Sequence, residues 1–134
     1  MNVAQINASA MLAASGNQLN GGTLLFYSGT QPASPETALS GNTLLCTFTF
    51  ANPAFGTPTF SGGLEQDVAN FVANSVAPVA AGTVTFARAL GSGGAVIDDF
   101  TVGTTGTDVI IGNANIQMGV NVSLTSFSER MPAV

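Results

Sequence analysis

The residues best suited to chemistry are three carboxylates, Asp98, Asp99 and Asp108, which bracket the stretch Phe100-Thr101-Val102-Gly103-Thr104-Thr105-Gly106-Thr107. Clustered Asp, hydroxyl and backbone oxygens are what calcium prefers. The spacing matches no calcium-loop pattern, however, and turn-forming, solvated aspartates are the simpler expectation. Asp98 stands apart. On an unbroken strand it shares a face with Val96, Phe100 and Val102, where a lone charge is costly. Arg88 likewise shares a face with Val84 and Phe86 on the preceding strand. Arg88 and Asp98 are therefore expected to form a structural ion pair, unless a bulge at Asp98-Asp99 turns the carboxylate outward.

Other constellations fall away. Serines are abundant, but the chain has no His, no Lys and no Gly-x-Ser-x-Gly elbow to activate one. Glu36, Glu65 and Glu129 lie in separate loop-like contexts, so nothing brings together the two carboxylates that glycoside hydrolysis requires. Gly91-Ser92-Gly93-Gly94 falls between strands rather than before a helix, which argues against a phosphate cradle. Cys46 is the single cysteine and sits in Leu44-Leu45-Cys46-Thr47-Phe48, where it reads as a small buried apolar residue. A non-enzymatic protein without cofactor or metal is expected.

Composition narrows the partners. Only 7% of the 134 residues are charged, against roughly 25% in typical proteins, and the net charge is −5. Two cations, Arg88 and Arg130, are too few to displace counterions from nucleic-acid phosphates or to anchor on an anionic membrane. No apolar run approaches the ~18 residues of a membrane-spanning helix. A surface so poor in charge is expected to meet other protein. Met1-Asn2-Val3-Ala4-Gln5 has neither a basic region nor a continuous apolar core, so no signal peptide is expected, and synthesis in a reducing cytoplasm is implied.

The elements that must position these residues are mostly strands. Residues 3–15 carry the one helical pattern, with Val3, Ile6, Ala10 and Leu12 along a stripe, and Gly16-Asn17 as a stop. From Thr23 on the chain alternates. Leu24, Phe26 and Ser28 share one face and Leu25 and Tyr27 the other; Leu44, Cys46, Phe48 and Phe50 face inward, while Leu45, Thr47 and Thr49 face outward. Asn52-Pro53 is expected to end the second strand, and residues 55–63 to form a loop or irregular edge. Residues 68–77 fit a strand or a helical turn. Residues 83–90 and 95–102 form a hairpin across Gly91–Gly94. Further strands are expected at 109–111 and 120–127, with Val120, Val122 and Leu124 inward, and 129–134 is an aperiodic tail. Seven or eight short strands between Gly-rich turns predict one all-β domain, an antiparallel β-sandwich or jelly-roll with a short N-terminal helix. Its parts are a helical arm (1–20), the sandwich (21–128) and the tail (129–134). The expected core is Leu24, Phe26, Phe48, Phe50, Val84, Phe86, Phe100, Val122 and Leu124.

Two segments carry a resemblance. Gly22-Thr23-Leu24-Leu25-Phe26-Tyr27-Ser28-Gly29-Thr30-Gln31-Pro32, continuing to Leu45, resembles the strand, "GT-x-P" loop and second strand of small structural proteins of tailed bacteriophages. Gly82-Thr83-Val84-Thr85-Phe86-Ala87-Arg88, with Val102-Gly103-Thr104-Thr105-Gly106-Thr107-Asp108, is similar to the same proteins' hairpin and subsequent "VGTxGxD" turn, and Val120–Phe127 fits their closing strand. The resemblance implies a virion component of β-sandwich type. The expected role is a capsid decoration (cement) protein that binds the major capsid protein on the outer head as a homo-oligomer, a trimer, after synthesis in the host cytoplasm. In that role Val3, Ile6, Ala10 and Leu12 are expected to make assembly contacts. The alternatives are a tail or neck structural protein, or a host-surface module whose Gly/Pro-rich loops grip carbohydrate. The last is disfavoured by a shortage of stacking rings, since Tyr27 is the one Tyr and Trp is absent.

Overall fold

The computed structural model describes residues 10, 11, 13, 14, 16–56, 59–61 and 64–132. The helix expected over 3–15, with Val3, Ile6 and Leu12, lies largely outside them; Ala10 is described and is exposed. From Thr23 onward the chain is all-β. The strands are β1 (Thr23–Tyr27), β2 (Leu44–Phe55), β3 (Thr59–Ser61), β4 (Leu64–Phe71), β5 (Ser75–Val76), β6 (Gly82–Thr83), β7 (Phe86–Leu90), β8 (Val96–Gly103), β9 (Val109–Ile111), β10 (Asn115–Ile116) and β11 (Val122–Pro132).

Nine strands hydrogen-bond in the order β3-β4-β2-β1-β7-β8-β9-β11-β5, and β6 pairs with β10 separately. Because β11 also pairs with β4, the sheet curls back on itself, and the strands from β4 through β11 in that order form a closed ring of pairings. The expectation of purely antiparallel pairing fails at one place. β8 and β9 run parallel, with Val102 opposite Val109 and Gly103 opposite Ile110. Parallel neighbours ordinarily need a crossover of about a dozen residues. Residues 104–108 suffice here because the turn is pinned. Asp108 Oδ2 accepts from the Thr101 amide and hydroxyl, both at 3.2 Å, while the Asp108 amide donates back to Thr101 Oγ1 at 3.1 Å.

Three further boundaries differ from expectation. Asn52-Pro53, joined by a cis peptide, does not end β2, which runs on to Phe55 and changes partner from β1 to β4 through an irregular register. Residues 59–61, read as loop, form β3 against β4. Residues 129–132, read as tail, continue β11 and pair with Leu64–Asp67. In each case a partner strand supplies the hydrogen bonds, which local alternation does not encode.

The interior is aromatic. Seven of the nine phenylalanines (26, 48, 50, 55, 71, 100 and 127) link ring to ring, with centroid separations from 4.6 Å for Phe100–Phe127 to 6.3 Å for Phe71–Phe127. Such tilted and edge-on pairs are favoured over flat sandwiches. Ala87 and Ala89 of β7, both fully buried, leave room for these rings. Eight of the nine expected core residues are buried, and Leu124 packs partly buried against the cluster. Leu19 is also fully buried in it, and Asn20 Oδ1 accepts from the Ala54 amide at 2.8 Å. The last residues assigned to the arm therefore belong to the domain.

Candidate functional site

The expected ion pair is present with a different carboxylate. Arg88 Nε donates to Asp99 Oδ1 at 2.8 Å and Nη2 donates to Oδ2 at 3.0 Å, a bidentate fork with side chains 6% and 3% exposed. Asp99, not Asp98, fills this place because of register. Arg88 lies opposite Asp99 and Ala89 opposite Asp98, and the irregularity in the hairpin falls beyond them, between Ala89 and Leu90. Asp98 faces the same side of the sheet as Ala89 and Phe100.

This pair sits on the outer side of the sheet. Thr47, Leu25, Arg88 and Asp99 form one outward row across β2, β1, β7 and β8; Tyr27, Phe86 and Thr101 form the next. Phe86 is fully buried there, stacked on Tyr27 at 5.6 Å and 19°, and Arg88 is 5% exposed. The Asp99 hydrogen bonds hold the Arg88 guanidinium protonated beyond its usual range, against the opposing effect of burial, with the charge of Asp99 and Tyr27 adding to them. Burial pushes the Tyr27 hydroxyl up, partly offset by the Arg88 charge. With both Asp99 oxygens engaged by Arg88 and Asp108 engaged by Thr101, these carboxylates are structural. Among the described residues no group of three His, Cys, Asp or Glu side chains is placed to hold a metal. Burial also pushes the Cys46 thiol up to about 12, which leaves it without reactive thiolate at neutral pH.

Residues 28–43, which join β1 to β2, are tied to the sheet at their base. Asn42 Nδ2 donates to the carbonyls of Ser28 (2.9 Å) and Thr30 (3.1 Å), and Thr85 Oγ1 donates to Gly29 O at 2.5 Å. The last of these bonds connects the two segments that carry the resemblance.

A cleft that the sequence did not signal lies in the hairpin from Gly112 to Ser123. β9 and β11 stay paired through the bond from the Gly112 amide to Ser123 O, and there the arms part. One arm turns away to pair with β6, while Val122 and Ser123 pair with β5. The turn closed by the Val120 amide on Gln117 O, with Gly119 at φ +85°, rejoins them. Between the arms is a cleft of about 230 Å³ lined by Gly112, Asn113, Asn115, Ile116, Gln117, Val120, Asn121, Val122 and Ser123. Val120, expected inward, is 59% exposed because β11 begins two residues later.

No described helix is long and apolar enough to cross a membrane. No family model matches the chain, and no curated protein or solved structure matches it either.

Proposed function

We propose that this chain is a non-enzymatic structural protein of a tailed-bacteriophage virion, a decoration protein that binds the outer head as a homo-oligomer. The observation that carries the reading is the character of the surface. Val72, Val79, Met118 and Val120 are 73%, 63%, 60% and 59% exposed, while Arg88 is withdrawn into its ion pair. Apolar side chains on a charge-poor exterior suit a protein that is covered by neighbours. The segments resembling phage proteins supply strands, a pinned loop and a pinned turn, which is what a rigid scaffold needs. In this reading the curled sheet acts as the two facing layers of a sandwich. Residues 3–15 form a helical arm whose Val3, Ile6, Ala10 and Leu12 stripe packs on an adjacent subunit, in keeping with the exposure of Ala10.

Quantitative mass spectrometry of purified particles tests the role. A copy number comparable to that of the major capsid protein is expected; a handful of copies would place the chain in the tail or neck instead. A chain beginning at Gly16, which retains Leu19 and Asn20, is expected to keep its melting temperature and lose self-association. The Val72→Asp, Val79→Asp double variant is expected to fold normally and fail to bind heads, and undiminished binding would remove these two side chains from the interface.

A further inference from the structure

The cleft in the 112–123 hairpin is built by the fold rather than left by loose packing. Its two arms are held apart by pairing to different strands, β6 on one side and β5 on the other. The floor is apolar, with Ile116 3% and Val122 5% exposed. The rim is a set of carboxamides, Asn113, Asn115, Gln117 and Asn121, with the Ser123 hydroxyl. Four carboxamides within nine residues, 113–121, is a dense run in this chain. Each offers two N–H donors and a carbonyl acceptor; Asn113 Oδ1 already takes the Asn115 amide at 2.9 Å. None of the nine lining residues is charged. The lining therefore brings no opposite charge to a phosphate, a carboxylate or a metal ion, and its donors and acceptors suit a neutral ligand.

We infer that this cleft binds a neutral N-acetylated sugar. The acetamido group carries what the cleft complements: a methyl for the Ile116–Val122 floor, and an amide N–H and C=O for the carboxamide rim. Sugar hydroxyls, which donate and accept, meet the remaining rim groups and Ser123. The volume lies below the roughly 300 Å³ at which drug-sized sites begin, and suits one ring. No aromatic side chain lines the cleft to stack on a pyranose, so a single copy binds weakly, and useful strength comes from many copies presented together. The site itself does not depend on the virion reading; only that gain from multiplicity does.

The test is a titration of the full chain with N-acetylglucosamine, followed through the side-chain amide signals in nitrogen–proton correlation spectra. Saturable shifts at millimolar sugar, confined to Asn113, Asn115, Gln117 and Asn121, are expected. Glucose, which lacks the acetamido group, is expected to bind at least about tenfold more weakly. Asn121→Ala and, separately, Gln117→Ala are expected to weaken binding by about tenfold or more with an unchanged melting temperature. No saturable shift, shifts centred elsewhere, or equal binding of glucose overturns the proposal. A linear oligomer of the same sugar, compared with the monomer, distinguishes a surface polysaccharide from a free sugar as the source. Particle incorporation of Asn121→Ala separates the two readings. Normal incorporation without sugar binding assigns the cleft alone, and a chain absent from particles that still binds the sugar overturns only the virion role.

Discussion

Strand β7 is buried on both sides, and the two sides solve that problem differently. Inward, Ala87 and Ala89 are fully buried in the cluster that holds the phenylalanine rings, with Asp98 opposite Ala89 at the hairpin end. Outward, Phe86 stacks on Tyr27 and Arg88 is clamped by Asp99. The inner side gains from area removed from water and from close ring packing. The outer side gains from Phe86, while the ion pair mainly neutralises what burial would otherwise penalise. One side thus tolerates changes that conserve volume; the other tolerates only changes that conserve charge balance.

The largest effect is expected from breaking the inner side. Phe48→Ala removes a fully buried ring in contact with Phe26 and Phe71 and should cost about 3–5 kcal/mol in urea melts. A loss under about 1 kcal/mol would mean that the cluster is not the main source of stability. On the outer side, Asp99→Ala should cost about 3 kcal/mol because it strands a buried guanidinium. The paired replacement Arg88→Met, Asp99→Leu should recover most of that loss. If the double variant is no better than the single one, the pair contributes net stability and the contrast between the sides fails.

Gly22 tests how closely the chain entering β1 approaches the end of β7. A Cβ there would overlap the Leu90 carbonyl oxygen, which is backbone and cannot rotate aside. Gly22→Ala should therefore cost about 1–3 kcal/mol, as overpacking does, measured by the shift in thermal midpoint. At neutral pH the smallest effect belongs to a titration on the inner side, which acts only in alkali. The Cys46 thiol ionises near 9.0 when exposed but near 12 when folded, so the folded state keeps a proton that the unfolded chain releases. Its contribution is complete below about pH 9 and is lost as pH rises toward 12, by at most about 1.4 kcal/mol per unit. Cys46→Ala should flatten that part of the stability curve, and an unchanged slope would assign it to other groups.

Much of the inner side was legible because strict alternation marks a half-buried strand. Leu24, Phe26, Phe48 and Phe50 are where their spacing puts them. Alternation fails where something covers the second face. Leu45, read as outward, is fully buried because the Val79 amide bonds to its carbonyl and Gly82 approaches its side chain, laying residues 78–82 over β2. Val84 and Phe86, read as one face, part company because the chain breaks strand between β6 and β7; the Val84 amide goes to Ala114 O and the Thr85 amide to Tyr27 O. The choice of Asp99 over Asp98 depends on hairpin register, and a one-residue slip exchanges the two faces. The cleft was invisible for a related reason, since a fork between two partner strands leaves no local pattern.

The return pairing of β11 with β4 also fixes a timetable. Val68 must wait for Ser128, about 60 residues further along, and Thr23 waits comparably long for Leu90. During translation the early strands leave the ribosome before the segments that pair with them have been made. Among the described strands the last to emerge is the one that seals the sheet, so apolar strand edges stay open to chaperones until β11 has been made. A chain stopped before Leu124 should accordingly bind a dye that reports exposed apolar surface, whereas the full chain should not.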